Sequence, residues 1–363
     1  MSDHHSTSNE SSIMGKSIVG LDIAGSSIRA VEVVDADKAQ PTVVRFAEVP
    51  TPQDAVSRGE VLEPNTVAAT LRELWSTGRF RSKNVVLGMG NQRVLSRDLT
   101  VPLAPMAQIR ESLPFQVQEM LPVPVGEAIL DFYPVSEGES ENGPVVHGLL
   151  IAAIKDAVLA NVKAVQLAGL NPIGVDMIPF ALTRVLLGRQ GVPGTAAVVQ
   201  LGADTTSVVI ATDGIPQFVR IIPMGGNDIS RALVGTLDIT FDEAEAVKRH
   251  LGLGGSARTP DDARAVAVIT ASVHELTSSL RNTINYFVNT RPSEPVTRVV
   301  LTGGGTRLQG MREALAEQTR LPVTMGAAFD GVGLARSIPA GDVADHVDAI
   351  TVAFGLAVGS RAA

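Results

Sequence analysis

The sequence of 363 residues contains no cysteine. This excludes disulfides, thiolate zinc sites, iron–sulfur clusters and a cysteine nucleophile, and it fits a reducing compartment. Aromatic residues are scarce, at 4% of the chain. No stretch reaches the roughly 18 consecutive apolar residues of a transmembrane helix. The polar segment 1–12 lacks the apolar core of a signal peptide, so residues 1–15 are predicted to be a disordered tail.

Basic residues are fewer than acidic residues, with 30 Lys and Arg against 38 Asp and Glu. The formal net charge is -8 and the sequence pI is about 5.3, which argues against a nucleic-acid or anionic-membrane binder. Apolar residues make up 45% of the chain and charged residues 19%, a composition typical of folded domains. At about 150 residues per domain, the length predicts two or three folded units.

The main organisational feature is an internal repeat. A strand meander over residues 17–49 returns at residues 196–222, and laying Asp22 on Gln200 superposes 19–33 on 197–211. We therefore predict an α/β fold of two related lobes, at residues 16–101 and 195–330, that face each other across a cleft. Helical residues 231–298 form part of the second lobe.

Two further segments complete the predicted organisation. Prolines punctuate residues 102–182, where a helix near 107–120, two strands, a second helix and a third strand indicate a small α+β subdomain inserted in the first lobe. An amphipathic C-terminal helix at residues 346–360 is expected to return to the first lobe.

Each lobe places a turn of small residues between its first two strands. In the first lobe, Asp22 ends a strand and is followed by Ala24, Gly25, Ser26 and Ser27. The second-lobe turn repeats this chemistry, with the residues Gly202, Ala203, Asp204, Thr205 and Thr206. Such turns bring backbone N–H groups and hydroxyls close to an anion. One turn alone is an ordinary hairpin, but a related pair indicates a phosphate chain held between them.

A third glycine turn, with Gly303, Gly304, Gly305 and Thr306, follows an apolar strand and precedes a predicted helix near 308–318. Glycines there allow a flat ring to lie against the backbone. On another helix, Glu245 and Lys248 are three positions apart and share one face. They are candidates to hydrogen-bond a ribose or an adenine, and the alternative is a solvated ion pair within the helix.

This ordered set of turns resembles the actin-like ATPase superfamily, and within it the PilM family of type IV pilus assembly proteins. The resemblance spans residues 17–358. The matching segments are 20–23, 115–124, 168–172, 176–181, 222–227, 243–248 and 301–310. It implies an actin-like (ribonuclease H-like) duplicated fold with ATP and Mg²⁺ between the lobes. Gly225 would contact the nucleotide, and Asp22 would hold Mg²⁺ through water.

The resemblance also implies a cytoplasmic adaptor at the inner face of the cell membrane. Such an adaptor binds the cytoplasmic N-terminal tail of the membrane protein PilN and links it to the pilus assembly motor. The peptide is expected in a groove between the first lobe and the insert, where Phe115, Val117, Met120 and Leu121 are predicted to form an apolar stripe.

Two departures from the family pattern bear on activity. Members usually carry Asp-x-Gly in both hairpins, whereas this chain has Asp22-x-Ala24 and Gln200-x-Gly202. Because an amide cannot supply a carboxylate for a magnesium-bound water, ATP hydrolysis is expected to be weak or absent. The alternatives are an FtsA-like cell-division actin homologue or a small-molecule kinase of the same superfamily. For the adaptor itself, a homo-oligomer is also compatible with the sequence. Against FtsA, residues 355–363 are too small for a basic amphipathic membrane helix.

Overall fold

The computed structural model describes residues 17–359. Its strands are β1 (Ile18–Ile23), β2 (Ser27–Val34), β3 (Thr42–Pro50), β4 (Val56–Ser57), β5 (Glu60–Val61), β6 (Asn84–Met89), β7 (Val94–Pro102), β8 (Ala128–Ser140), β9 (Gly143–Ile154), β10 (Asn171–Met177), β11 (Thr195–Leu201), β12 (Thr206–Thr212), β13 (Ile215–Ile222), β14 (Arg298–Thr302), β15 (Val323–Met325) and β16 (Gly333–Leu334). Its α-helices are α1 (Pro64–Thr77), α2 (Met106–Gln116), α3 (Lys155–Leu167), α4 (Ile178–Thr183), α5 (Gly226–Leu237), α6 (Phe241–Leu251), α7 (Pro260–Thr290), α8 (Met311–Thr319) and α9 (Ala340–Val358). The predicted tail at 1–15 lies outside the described residues.

The two lobes have matching sheets. The first-lobe sheet has the order β10-β6-β1-β2-β3-β16, and the second-lobe sheet has the order β13-β12-β11-β14-β15. Their first hairpins share one register, because Asp22 lies opposite Arg29 in the first lobe and Gln200 lies opposite Ser207 in the second. The alignment that lays Asp22 on Gln200 also lays Arg29 on Ser207. The structure therefore confirms the predicted duplication.

The insert has different boundaries from those predicted at 102–182. Strands β7, β9 and β8 form their own three-stranded sheet, so the insert runs from Val94 to Ile154. Strand β10 instead joins the first-lobe sheet in parallel to β6, as β15 joins β14 in the second lobe. Helix α3 packs against α1 of the first lobe. The prediction was wrong because β10 is the fifth strand of the repeated sheet.

The insert sheet is packed on both faces. One face meets α2 in a small core that includes Phe132, Leu113 and Leu150. The other contacts β13 of the second lobe, and Asp98 of β7 pairs with Arg291 at 3.1 Å. The helix predicted at 107–120 ends at Gln116 and is followed by a 3-10 turn at Gln118–Met120. This break turns Val117 into the core, where it is fully buried.

A helical layer made of α5, α6 and α7 covers one face of the second-lobe sheet. Helix α6 begins with a capping box, in which the Thr240 hydroxyl accepts from the Glu243 N–H at 3.3 Å. A second box, of Thr259 and Asp262, starts α7. These caps satisfy N–H groups that a helix end would otherwise leave unpaired.

The chain then returns to the first lobe. Strand β16 pairs with β3, and α9 crosses β1 and β2. The helix is longer than the predicted 346–360, since it begins at Ala340. It packs closely over Gly20, because a Cβ there would overlap the Ala353 carbonyl oxygen and lie 2.7 Å from the Ala357 nitrogen. Among the described residues, no helix is both long and apolar enough to cross a membrane.

Candidate functional site

A cleft of about 690 Å³ separates the two lobes. Both hairpin turns, the third glycine turn and one face of α6 line it. The predicted nucleotide-binding residues that line the cleft are Asp22, Ala24, Gly25, Ser26, Ser27, Gly202, Ala203, Asp204, Thr205, Thr206, Gly225, Glu245, Lys248, Gly303, Gly304 and Gly305. Thr306 does not line it. The residues 304–307 form a 3-10 turn, and α8 begins only at Met311, so the glycine run does not open an α-helix as predicted.

An ion-pair chain runs from the buried Asp22 of the first hairpin to the exposed Glu48 of β3. Arg29 Nη1 lies 3.4 Å from Asp22 Oδ2, and Arg29 Nε donates to Glu48 Oε1 at 2.9 Å. Burial raises the pKa of Asp22 above its ordinary value of 3.8, and the nearby guanidinium offsets this only in part. All three side chains line the cleft. The sequence reasoning missed Arg29, although its place directly opposite Asp22 follows from the hairpin register.

The second hairpin has its charge elsewhere. Gln200 occupies the position of Asp22, and opposite it Ser207 takes the place of Arg29. Asp204, nearly buried at 9% exposure, instead extends a carboxylate from the turn. Its Oδ1 accepts from Arg231 Nη2 at 2.7 Å and from Asn227 Nδ2 at 3.0 Å. Its Oδ2 touches Gly25 of the first lobe, so a Cβ on Gly25 would clash with it.

The third glycine turn makes room against the second hairpin. Gly303 has φ +93°, and Gly305 lies so close to Leu201 that an added Cβ would be 2.8 Å from the leucine Cβ. By contrast, a Cβ on Gly304 would meet no atom within 4 Å. Gly304 therefore borders open space in the cleft, and a larger side chain there would occupy that space without disturbing the backbone.

Glu245 and Lys248 form the predicted intrahelical ion pair and also line the cleft. Lys248 Nζ donates to the Gly226 carbonyl at 2.9 Å, to Ser230 Oγ at 2.8 Å and to Glu245 Oε1. All three of its N–H groups are therefore used inside the protein. Although burial acts to raise the pKa of Glu245, hydrogen bonds from Lys248 and Ser230 bring it below its usual value. Glu245 is thus held as a carboxylate in a fixed position.

The cleft wall also contains residues that no motif indicated. Asp348 of α9 lies 3.9 Å from Arg307 Nε of the second lobe, and both line the cleft. Burial raises the pKa of Asp348, while Arg307 opposes the change. The pair spans the two lobes, and residues so distant in sequence cannot be paired from sequence alone.

The residues present suit a magnesium nucleotide better than a protein-only metal site. Within residues 17–359, no three metal-ligating side chains come together. Mg²⁺, however, is usually held by one or two carboxylates together with substrate phosphates and water. Asp22 can supply one carboxylate. Ser27, which is 6% exposed, adds a hydroxyl to the cleft lining beside it.

A second, smaller groove lies at the base of the insert, beside the point where the chain leaves the first lobe, and insert residues line most of it. It is lined by Gln92, Arg93, Leu95, Leu121, Pro122, Val123, Ala128, Ala152, Ala153 and Ile154. Of the predicted apolar stripe, only Leu121 lies there. Val117 and Met120 pack in the insert core, and Phe115, at 86% exposure, lies outside the groove lining. The stripe was wrong as one surface, because the helix ends between its members.

A family model matches nearly the whole chain, whereas the curated relatives are FtsA proteins. The family model described as "Type IV pilus assembly protein PilM" matches residues 20–361. Among curated proteins, the chain is 21% identical over 256 residues to the cell division protein FtsA of Bacillus subtilis, covering 64% of this chain and 58% of that protein. It is 24% identical over 204 residues to FtsA of Neisseria meningitidis serogroup B, covering 51% and 49%. The chain thus spans about half the length of the curated relatives it matches.

Solved structures extend the likeness over nearly the whole chain. A structure described as "PilM-PilN type IV pilus biogenesis complex" has a TM-score of 0.83 at 26% identity and covers 95% of this chain and 99% of that one. MreB5 of Spiroplasma citri bound to ADP has a TM-score of 0.53 at 10% identity, with coverage of 95% and 96%. The second likeness shows the fold alone, which is actin-like as predicted.

Proposed function

Because the chain belongs to the type IV pilus assembly protein PilM family, we propose that it is an ATP-binding adaptor of type IV pilus biogenesis. Its partner is the short N-terminal tail of a PilN-type membrane protein, and it links that protein to the assembly motor at the inner face of the cell membrane. The observation that carries the proposal is the match along nearly the whole chain to the PilM-PilN complex structure.

The nucleotide occupies the cleft between the lobes. The two hairpin turns hold its phosphates, the glycine turn receives its base, and Glu245 Oε2 accepts from the sugar hydroxyls. Asp22 holds Mg²⁺ through water, and Arg29 neutralises phosphate charge. When bound there, Mg²⁺ would supply positive charge to offset that of the phosphates. Because Gln200 provides no carboxylate, turnover is slow or absent.

The partner tail occupies the groove at the base of the insert. Leu121, Val123 and Ile154 supply apolar contacts, and a few such anchors carry most of the affinity of a short peptide. Charge favours the same partner. Across residues 94–154 the insert has eight acidic and two basic residues, whereas the cytoplasmic segments next to membrane spans are enriched in Lys and Arg.

The nucleotide site is tested by filling the space beside Gly304. Replacing Gly304 with Leu should abolish the rise in melting temperature that Mg-ATP gives the native chain, because binding to the folded state must raise apparent stability. Gly235→Leu is the matched control, since Gly235 is exposed and also has no atom within 4 Å of an added Cβ. Undiminished ATP stabilisation of the Gly304 variant would rule out this cleft.

The partner groove is tested by pulldown with the membrane protein's tail. Leu121→Glu should abolish capture, whereas Leu103→Glu, on an exposed part of the same insert, should not. A third variant, Phe115→Glu, tests whether the tail binds the exposed face of α2 instead of the groove. Capture lost with Phe115→Glu but kept with Leu121→Glu would move the interface to that helix. Capture of a partner without its tail would remove the groove from the proposal.

FtsA-like assembly is the second candidate, favoured by the curated FtsA relatives. Sedimentation of the full chain with and without Mg-ATP separates the two functions. An adaptor stays in the supernatant in both conditions, whereas an FtsA-like polymer pellets with nucleotide.

A further inference from the structure

The contact between Asp204 and Gly25 places a negative charge where the two hairpins meet. Gly25 belongs to the first phosphate turn, and Asp204 belongs to the second. When Asp22 is laid on Gln200, the position equivalent to Asp204 in the first hairpin is Ser26, a neutral residue. The repeated backbone therefore does not require a carboxylate at this point, and only the second turn carries one.

The Asp204 carboxylate is fixed rather than free to turn away. Arg231 and Asn227 both donate to Oδ1, which leaves Oδ2 against the first hairpin. Arg231 approaches from α5 and is itself shared with Asp228 at 2.8 Å. Arg231 does not line the cleft, whereas Asp204 does. The guanidinium therefore contacts the carboxylate on the side away from the cleft.

We propose that Asp204 makes nucleotide binding in this cleft depend on a divalent cation. This inference rests on the proposed nucleotide function of the cleft. A triphosphate held between the hairpins brings its phosphate oxygens towards Gly25, and hence towards the Asp204 carboxylate that lies against Gly25. Without a metal the two anions repel each other, since like charges a few ångströms apart interact unfavourably even in water. With Mg²⁺ between them, the same carboxylate becomes attractive, directly or through a metal-bound water.

This assignment gives the second lobe the carboxylate that Gln200 lacks, but at a different place. Gln200 is the second-last residue of β11, whereas Asp204 lies in the turn that follows the strand. A carboxylate in the turn disfavours a ligand that carries more negative charge. Asp204 is therefore a specificity-determining residue, and it selects magnesium nucleotide over free nucleotide.

The test is a pair of dissociation constants for ATP, measured by calorimetry on the full chain in excess Mg²⁺ and in EDTA. The ratio of the EDTA value to the Mg²⁺ value reports cation dependence and needs no turnover. In Asp204→Ser, which copies Ser26 of the first hairpin, this ratio should fall by about fivefold or more, the size of a single charge repulsion at about 4 Å in water. The control Glu317→Gln removes one exposed carboxylate from the outer face of the same lobe and should leave the ratio unchanged.

The outcomes are distinguishable. An unchanged ratio in Asp204→Ser, with tight Mg-ATP binding by the native chain, would overturn the role of Asp204 and leave the nucleotide site in place. No ATP binding by the native chain in excess Mg²⁺ would overturn the nucleotide site itself and this inference with it. Asp204→Asn is measured as well, because it keeps the size of the side chain. If only Ser lowers the ratio, the effect is one of space and the proposal is wrong.

Discussion

The two hairpins that face each other across the cleft share a backbone and differ in charge. In the first, Asp22 ends the strand opposite Arg29, and the turn is neutral. In the second, a neutral pair of Gln200 and Ser207 ends the strands, and the carboxylate lies in the turn at Asp204. The comparison shows that a duplicated fold preserves strand register, because the register is set by the sheet and its core. The charged positions differ between the lobes, since they line the cleft and do not belong to the apolar core.

The same comparison extends two residues back along each strand, on the same face of the sheet. Gly20 in β1 is equivalent to Val198 in β11, and both are in the centre of a five-strand repeat. Val198 packs in the core that the lobes share, whereas Gly20 lies under α9. A helix that approaches a sheet at backbone distance needs glycine below it.

The largest effect should come from making the first lobe resemble the second at this position. Gly20→Val would drive a side chain into the backbone of α9 and should lower the free energy of unfolding by about 3 kcal/mol or more. Chemical denaturation measures the change. A loss of only about 0.5 kcal/mol, the size of an ordinary surface substitution, would show that α9 is not held against β1 as described.

The next effect should come from making the second hairpin resemble the first. Gln200→Asp restores a carboxylate at the cleft end of β11, and phosphate release should rise by about 100-fold from a native turnover well below about 1 per second. Mg-ATP affinity should change little. Gln200→Asn is the neutral control, with the same length as Asp, and should stay at the native rate. Native turnover at an ordinary enzymatic rate would contradict the assignment.

The smallest effect should be a pH dependence from the first hairpin. Because burial places the pKa of Asp22 above its ordinary value of 3.8, the folded chain binds this proton more tightly than the unfolded chain. Stability contributed by Asp22 therefore falls as the pH rises from about 4 through the raised pKa. Asp22→Asn should be more stable than the native chain near pH 8, and the difference should vanish near pH 3. Thermal unfolding at the two pH values measures this. A variant less stable near pH 8 would show that pairing with Arg29 outweighs burial.

Much of this architecture could be predicted from the sequence. The repeat, the three turns and the α6 capping box are local patterns, and local chemistry determines them. The insert boundary was wrong because β7 and β10 read as strands from sequence, while their sheet partners are set by contacts between distant segments. The cleft residues Arg307 and Asp348 were missed for the same reason, since nothing local to either indicates the other. Arg29 could have been found, because hairpin register alone places it opposite Asp22.

The crossing of α9 over β1 has a consequence for the order in which the chain folds. The first lobe is split in sequence, because its sheet starts at β1 whereas its covering helix, α9, follows the whole second lobe. The second lobe is continuous from β11 to β15. At roughly 5 to 20 residues per second, synthesis of the chain between β3 and α9 leaves the first-lobe sheet uncovered for roughly 15 to 60 s. The lobe that begins first is therefore completed last, and the apolar face under α9 is the surface most exposed to aggregation while the chain is being made.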